Sequence, residues 1–217
     1  MVYSWEELSQ QIEAEVNKHD FSGKPAELYD PIGYTMTLGG KRIRPTLCLL
    51  AAQLFSGDLQ KAMNLALAVE VFHNFTLVHD DIMDEAPIRR GKPAVHAKWN
   101  RDVAILSGDV MFVQAYQLLA KGNPEKLSQM LTVFNQTAIE VCEGQQFDMN
   151  FETQTGVQVS DYIEMIRLKT AVLLACSLQL GAFEAGASEK DAQLIYEFGE
   201  KIGIAFQIQD DFLDCYA

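Results

Sequence analysis

Two stretches of this chain carry carboxylates at one shared spacing: Asp80-Asp81-Ile82-Met83-Asp84 and Asp210-Asp211-Phe212-Leu213-Asp214. Each reads D-D-x-x-D within an apolar run. On a helix, residues four apart lie about 40° from one another around the axis. Asp80 and Asp84 therefore share a face, as do Asp210 and Asp214, with Asp81 and Asp211 at its edge. Carboxylates crowded onto apolar helices repel one another and lose hydration. A hard divalent cation relieves both problems, because magnesium takes oxygen ligands and completes its shell with water and substrate phosphates. A solvated acidic helix face accounts for one such motif. Two copies with the same spacing and surroundings point instead to paired magnesium sites around a diphosphate.

The positive charge needed to hold such an anion is concentrated in two segments. Gly39-Gly40-Lys41-Arg42-Ile43-Arg44-Pro45 sets three cations beside a flexible glycine pair and a helix start. Backbone N–H groups at a helix N-terminus add to its affinity for anions. Arg89-Arg90-Gly91-Lys92 follows the first acidic motif closely, and arginine forks suit phosphate oxygens bidentately.

These motifs need helices to position them, and the apolar spacing is helical nearly throughout. Ser4-Trp5-Glu6-Glu7 is a capping box opening a first helix. A second helix runs to Leu38, stopped by Gly39-Gly40, and Pro45 opens a third at its first position. A long helix from Leu59 to Asp84 is apolar on most sides, as a buried central helix is. Pro87, Gly91 and Pro93 mark 85–98 as a loop. Helices follow over 102–120, from Gly122-Asn123-Pro124 to Phe151, from a Ser160 cap to Ala185, and from Ser188 through the second acidic motif. No segment carries a persuasive strand period.

The 217 residues suit one domain, 1–217, and 48% hydrophobic content supplies a core. A net charge of −13 excludes nucleic acid and an anionic membrane surface as partners. Cys48, Cys142, Cys176 and Cys215 are scattered and read as reduced thiols of a cytoplasmic protein. The charged, amphipathic N-terminus is no signal peptide. The apolar stretches near 65–78 and 170–183 contain Glu70, His73 or Gln179 and fall short of a transmembrane span.

With these motifs assembled, the chain resembles the trans-prenyl (polyprenyl) diphosphate synthases, in particular the short-chain farnesyl and geranylgeranyl type. GGKRIRP (39–45), HNFTLVHDDIMD (73–84), RRG (89–91), GQQFD (144–148), Lys169-Thr170 and FQIQDDFLD (206–214) carry the resemblance, in order along essentially the whole chain. It implies an all-α antiparallel bundle around a deep central cavity, usually a homodimer. It also implies a magnesium-dependent, head-to-tail condensation of isopentenyl diphosphate with an allylic diphosphate.

By the same resemblance Asp80 and Asp84 bind two magnesium ions and Asp210 a third, supported by Asp81, Asp211 and Asp214. Arg89, Lys169 and Gln207 contact the allylic diphosphate. Lys41, Arg44, His73 and Arg90 hold isopentenyl diphosphate. Thr170, at an apparent helix break, stabilises the carbocation. Gln145 and Asp148 orient their neighbours. Phe75, with Thr76 small beside it, sits where the family places a floor beneath the growing chain, which implies a fifteen- or twenty-carbon product.

The family continues beyond the second acidic motif, whereas this chain stops at Ala217. The expectation is a truncated chain lacking the terminal helices and a basic closing loop, nearly inactive alone. Two other readings stand beside the enzyme: a non-catalytic partner subunit, and a terpene cyclase, which has no second diphosphate for GGKRIRP and RRG to hold.

Overall fold

The computed structural model describes residues 2–216. Ten α-helices are formed among them: α1 (Trp5–Lys18), α2 (Ala26–Met36), α3 (Ile43–Leu54), α4 (Leu59–Met83), α5 (Val95–Lys98), α6 (Arg101–Leu119), α7 (Leu127–Phe151), α8 (Val159–Ile166), α9 (Val172–Glu184) and α10 (Glu189–Tyr216). A π-helical turn, Arg167–Ala171, joins α8 to α9. The fold class is all-α, as the periodicity requires. The helices divide into two compact units, Met1–Thr46 with Met63–Lys121, and Leu47–Ala62 with Gly122–Ala217.

In the first unit, α1 opens on the expected capping box. The Ser4 hydroxyl accepts from the Glu7 N–H, and the Ser4 N–H donates to the Glu7 carboxylate at 2.8 Å. Leu8, Ile12 and Val16, at helical spacing, are its buried stripe. Most of α4 is core: Leu65, Val69, Phe72 and Val78 are all buried. Helix α3 begins at Ile43, so Pro45 is its third residue rather than its first. The first N–H groups of a helix lack partners within it, so proline loses nothing at either position.

The 85–98 segment is more ordered than a loop. Ile88–Arg89 (β1) and Lys92–Pro93 (β2) pair antiparallel, with Arg89 opposite Lys92. Arg90 and Gly91 between them both have positive φ, 52° and 74°, as a two-residue hairpin turn requires. Two-residue strands are too short to show alternation in a sequence.

The second unit is built on α9, in which every residue from Val172 to Glu184 is buried. Helix α8 begins at Val159, one residue before the expected Ser160 cap. Gln158 is its cap, donating its backbone N–H to Asp161 at 3.2 Å. Helix α8, the π turn and α9 run on without a gap. The 26-residue helix Val159–Glu184 holds an apolar window of mean hydropathy 1.4, long and apolar enough to cross a membrane. Its apolar window is 83% buried inside the fold, which is the environment of a core helix. The apolar run 170–183 looks too short in sequence because nothing local shows the helix continuing through the π turn.

Candidate active site

Within the first unit, the end of α4 and the hairpin after it bring acids and arginines together. Asp84 closes the last turn, its N–H donating to the Asp80 carbonyl at 2.9 Å. Glu85, at φ +50°, then reverses the chain toward the hairpin. Asp81 is buried, and Arg89 reaches it twice: Nε donates to Oδ1 at 2.9 Å and a terminal nitrogen to the same oxygen at 2.5 Å. That guanidinium also lies 3.7 Å from Asp80. Asp80 is half-buried and Asp84 exposed. The motif thus divides its work: its middle acid orients Arg89, while its outer acids flank the helix end.

The GGKRIRP segment divides similarly. Arg42 is 3% exposed and points inward, donating to Glu13 at 2.8 Å, Glu70 at 2.5 Å and the Met36 carbonyl at 2.8 Å. Arg44 donates to the His73 Nε2 at 3.2 Å. Its Nε is a buried donor with no partner among the described residues. Arg90 donates to the Gly39 carbonyl, and its guanidinium lies where a side chain on Gly40 would stand, 3.0 Å from an added Cβ. Gly40 also has φ +146°, a conformation that L side chains rarely adopt, which favours glycine there. Lys41 is exposed.

Charge sums at His73. Burial, then Arg44, Arg90, Arg89 and Arg42, hold the imidazole far below its ordinary pKa of 6.5. It is neutral, and because a guanidinium only donates, Nε2 accepts and Nδ1 carries the proton. Burial, with neighbouring Arg90 and despite Glu70, lowers even Arg44 to about 10. Four arginines thus act on one histidine, two of them, Arg42 and Arg89, already paired with Glu70 and Asp81. Of the predicted residues, Arg44, His73, Arg89, Arg90, Asp80 and Asp81 meet here.

Phe75 and Thr76 lie further down α4. The Phe75 ring packs against Phe72, Phe112 and His79, at centroid distances of 5.5, 5.2 and 4.8 Å. The Thr76 hydroxyl donates to the His73 carbonyl at 2.8 Å.

In the second unit the π turn is the organising element. Each π turn adds a residue to the helical circuit and re-aims the side chains within it. Arg167 anchors its start, donating to Glu164 at 2.8 Å and Glu200 at 2.9 Å. Lys169 donates to Asp148 at 2.5 Å. Gly144 permits this approach: a Cβ there would stand 2.3 Å from the Lys169 backbone nitrogen. The helix does not break at Thr170; it widens, and the Thr170 hydroxyl donates to Gln207 Oε1 at 3.0 Å. Gln207 donates to Asp211 Oδ1 at 2.8 Å, and the Tyr162 hydroxyl donates to Asp211 Oδ2. Burial and the Asp211 carboxylate raise the Tyr162 phenol to about 12. Asp210 and Asp214 are exposed.

Sequence reasoning missed Tyr162 and the inward role of Arg42. Tyr162 stands seven residues before Lys169, two helical turns along the same face, and that spacing was the available signal.

Among the described residues no three acidic, histidine or cysteine side chains close on one point to enclose a metal. Magnesium ordinarily takes one or two carboxylates, leaving phosphates and water to complete its shell. The all-oxygen donors at both acidic motifs fit that ion.

A family model described as Polyprenyl synthetase matches residues 25–217. The geranylgeranyl diphosphate synthase of Methanosarcina mazei is 45% identical over 196 residues, covering 89% of this chain and 60% of that protein. The geranylfarnesyl diphosphate synthase of Natronomonas pharaonis is 39% identical, covering 89% and 62%. A solved geranylgeranyl pyrophosphate synthetase from Pyrococcus horikoshii superposes with TM-score 0.90 at 36% identity, over 97% of this chain and 66% of that one. The chain spans about 60% of the length of the curated relatives it matches.

Proposed function

Because this chain belongs to the polyprenyl synthetase family, we propose that it serves the condensation of isopentenyl diphosphate with an allylic diphosphate. The product is an all-trans prenyl diphosphate of fifteen or twenty carbons. The observation that carries the reading is the division of α4 and its neighbours into two kinds of anion site. The carboxylates of Asp80 and Asp84 suit a diphosphate that arrives with metal. The metal-free cluster of Arg44, His73 and Arg90 suits one that arrives without it. A terpene cyclase has no use for the second.

In this reading Asp80, Asp84, Asp210 and Asp214 hold magnesium, which when bound neutralises charge on the departing diphosphate. Asp81 holds Arg89 against the allylic diphosphate, and Asp148 holds Lys169 for the same purpose. The reacting C–O bond breaks with its electron pair on the diphosphate. The double bond of isopentenyl diphosphate then supplies the pair that forms the new C–C bond. The released diphosphate takes the proton lost, so His73, held neutral, need only bind. In this reading the oxygens of Thr170 stabilise the allylic cation, and Gln207 stands with Lys169 at the allylic diphosphate. Preorganised dipoles of this kind usually contribute more to catalysis than any other single effect. The reading takes a second copy of the chain as partner and the cytoplasm as its place.

Labelled isopentenyl diphosphate, unlabelled allylic diphosphate and magnesium, incubated with a full-length protein that contains this chain, should give an acid-labile prenyl product. Release of diphosphate from the allylic substrate alone, with no incorporation of label, would establish cyclase chemistry instead. Neither product would mark a non-catalytic subunit.

A further inference from the structure

We infer that Tyr162 is a positioning residue that fixes the polarity of the Thr170 hydroxyl, acting through Asp211 and Gln207; the inference rests on the condensation proposed above. The chain of bonds runs through the second unit alone. Tyr162 on α8 donates to Asp211 Oδ2, Gln207 donates to Asp211 Oδ1 at 2.8 Å, and Thr170 donates to Gln207 Oε1 at 3.0 Å.

Each link constrains the next. An ionised carboxylate only accepts, so the Gln207 amide must turn its NH2 toward Asp211. Its carbonyl then faces Thr170. A hydroxyl has one hydrogen, and that of Thr170 is thereby committed to Gln207. What Thr170 presents elsewhere is lone pairs, the polarity an adjacent carbocation requires.

Tyr162 is the end of the chain that keeps it from reversing. It occupies the second Asp211 oxygen and so limits rotation of the carboxylate. Without that bond the carboxylate can turn from Gln207, and the amide can flip. A flipped Gln207 donates to Thr170, freeing the Thr170 hydrogen to point at the cation site. The electrostatics there would change sign with no atom of the reacting site removed.

This also separates the roles of neighbouring acids in the second motif. Asp210 and Asp214 are exposed, whereas both Asp211 oxygens already accept hydrogen bonds.

The test is a double-mutant cycle between Tyr162→Phe and Thr170→Val, read in kcat. Tyr162→Phe keeps the ring and deletes one oxygen. In the natural background it should lower kcat about tenfold, a fraction of what losing a direct oxyanion donor costs. KM for both substrates and the affinity for magnesium diphosphate, measured by calorimetry, should stay within about twofold. In the Thr170→Val background the same change should alter kcat less than about twofold, because no hydroxyl remains to be oriented. Tyr162→Leu, which also lacks the hydroxyl, should show the same dependence on Thr170 and stands in if Tyr162→Phe folds poorly. Losses that simply multiply, or an unchanged kcat in Tyr162→Phe, would overturn the inference. Absence of condensation in the unmutated full-length protein would instead overturn the reading on which it rests.

Discussion

Gly144→Ala tests how tightly the π turn is held. An added Cβ would stand 2.3 Å from the Lys169 nitrogen, 2.7 Å from its Cα and 2.8 Å from the Leu168 carbonyl carbon. Ordinary van der Waals contact begins near 3.4 Å, so the two backbones must part by about 1 Å. The three nearest obstructing atoms are all backbone, so no side chain can swing aside to clear them. Overpacking of this kind costs about 1–3 kcal/mol, and a backbone obstacle puts it at the upper end. Alanine recovers about 1 kcal/mol of helix propensity, leaving a net loss of about 2 kcal/mol. Gly33 in α2 is the internal control. An added Cβ there meets nothing within 4 Å, so Gly33→Ala should stabilise by up to about 1 kcal/mol. Denaturant unfolding followed by circular dichroism reads both. Since a misplacement of about 1 Å can cost about 100-fold in rate, turnover of Gly144→Ala should fall by that order through Lys169. A Gly144→Ala protein as stable as the natural one, with turnover within twofold, would refute the close approach and the role given to the turn.

In the full-length context Asp80→Ala and Asp210→Ala should each cut turnover by several orders of magnitude while leaving helicity intact; an unchanged magnesium dependence in both would remove the metal assignment. A full-length enzyme carrying Phe75→Ala should yield products at least one isoprene unit longer, seen by chromatography after dephosphorylation. Unchanged lengths would move the floor to Phe112, whose ring already packs against Phe75. His73 has a folded pKa below its ordinary 6.5, so its contribution to stability is complete above that value and is lost as pH falls below it. Replacing it by Gln should flatten the acid limb of the stability curve below pH 6.5, and superimposable limbs would contradict a buried neutral imidazole. Cys142 and Cys215 are exposed, whereas Cys48 and Cys176 are buried with thiol pKa values pushed up by burial. A thiol reagent should therefore label the first pair in the native protein and the second only on unfolding.

Helix positions were legible because the apolar stripe repeats over several turns, as at Leu8, Ile12 and Val16. The acidic motifs were legible because local spacing alone puts carboxylates on one face. What stayed hidden depends on partners distant in the chain. Arg42 reads as one of three equivalent cations until Glu13 and Glu70 are brought against it. The π turn differs from an α turn by one residue of register, which no local pattern records. Tyr162 acquires a role only through Asp211, 49 residues away. The hairpin had a local cue in the Arg90-Gly91 pair, but its strands were too short to alternate.

The inward Arg42 makes the glycine-rich segment a template of set pitch. Its φ of +47° is unusual for a side-chain-bearing residue, and three bonds to three different stretches of chain hold it there. Lys41 and Arg44 are therefore spaced by the scaffold beneath them and not by the anion that the proposed function assigns to them. Ligands must match that pitch, because the segment cannot stretch to match theirs. An inserted residue between Gly40 and Arg42 could be absorbed as a bulge in the glycine pair. One between Arg42 and Arg44 would rotate the arginine away from His73, so tolerance to length change should differ sharply on the two sides of a single residue.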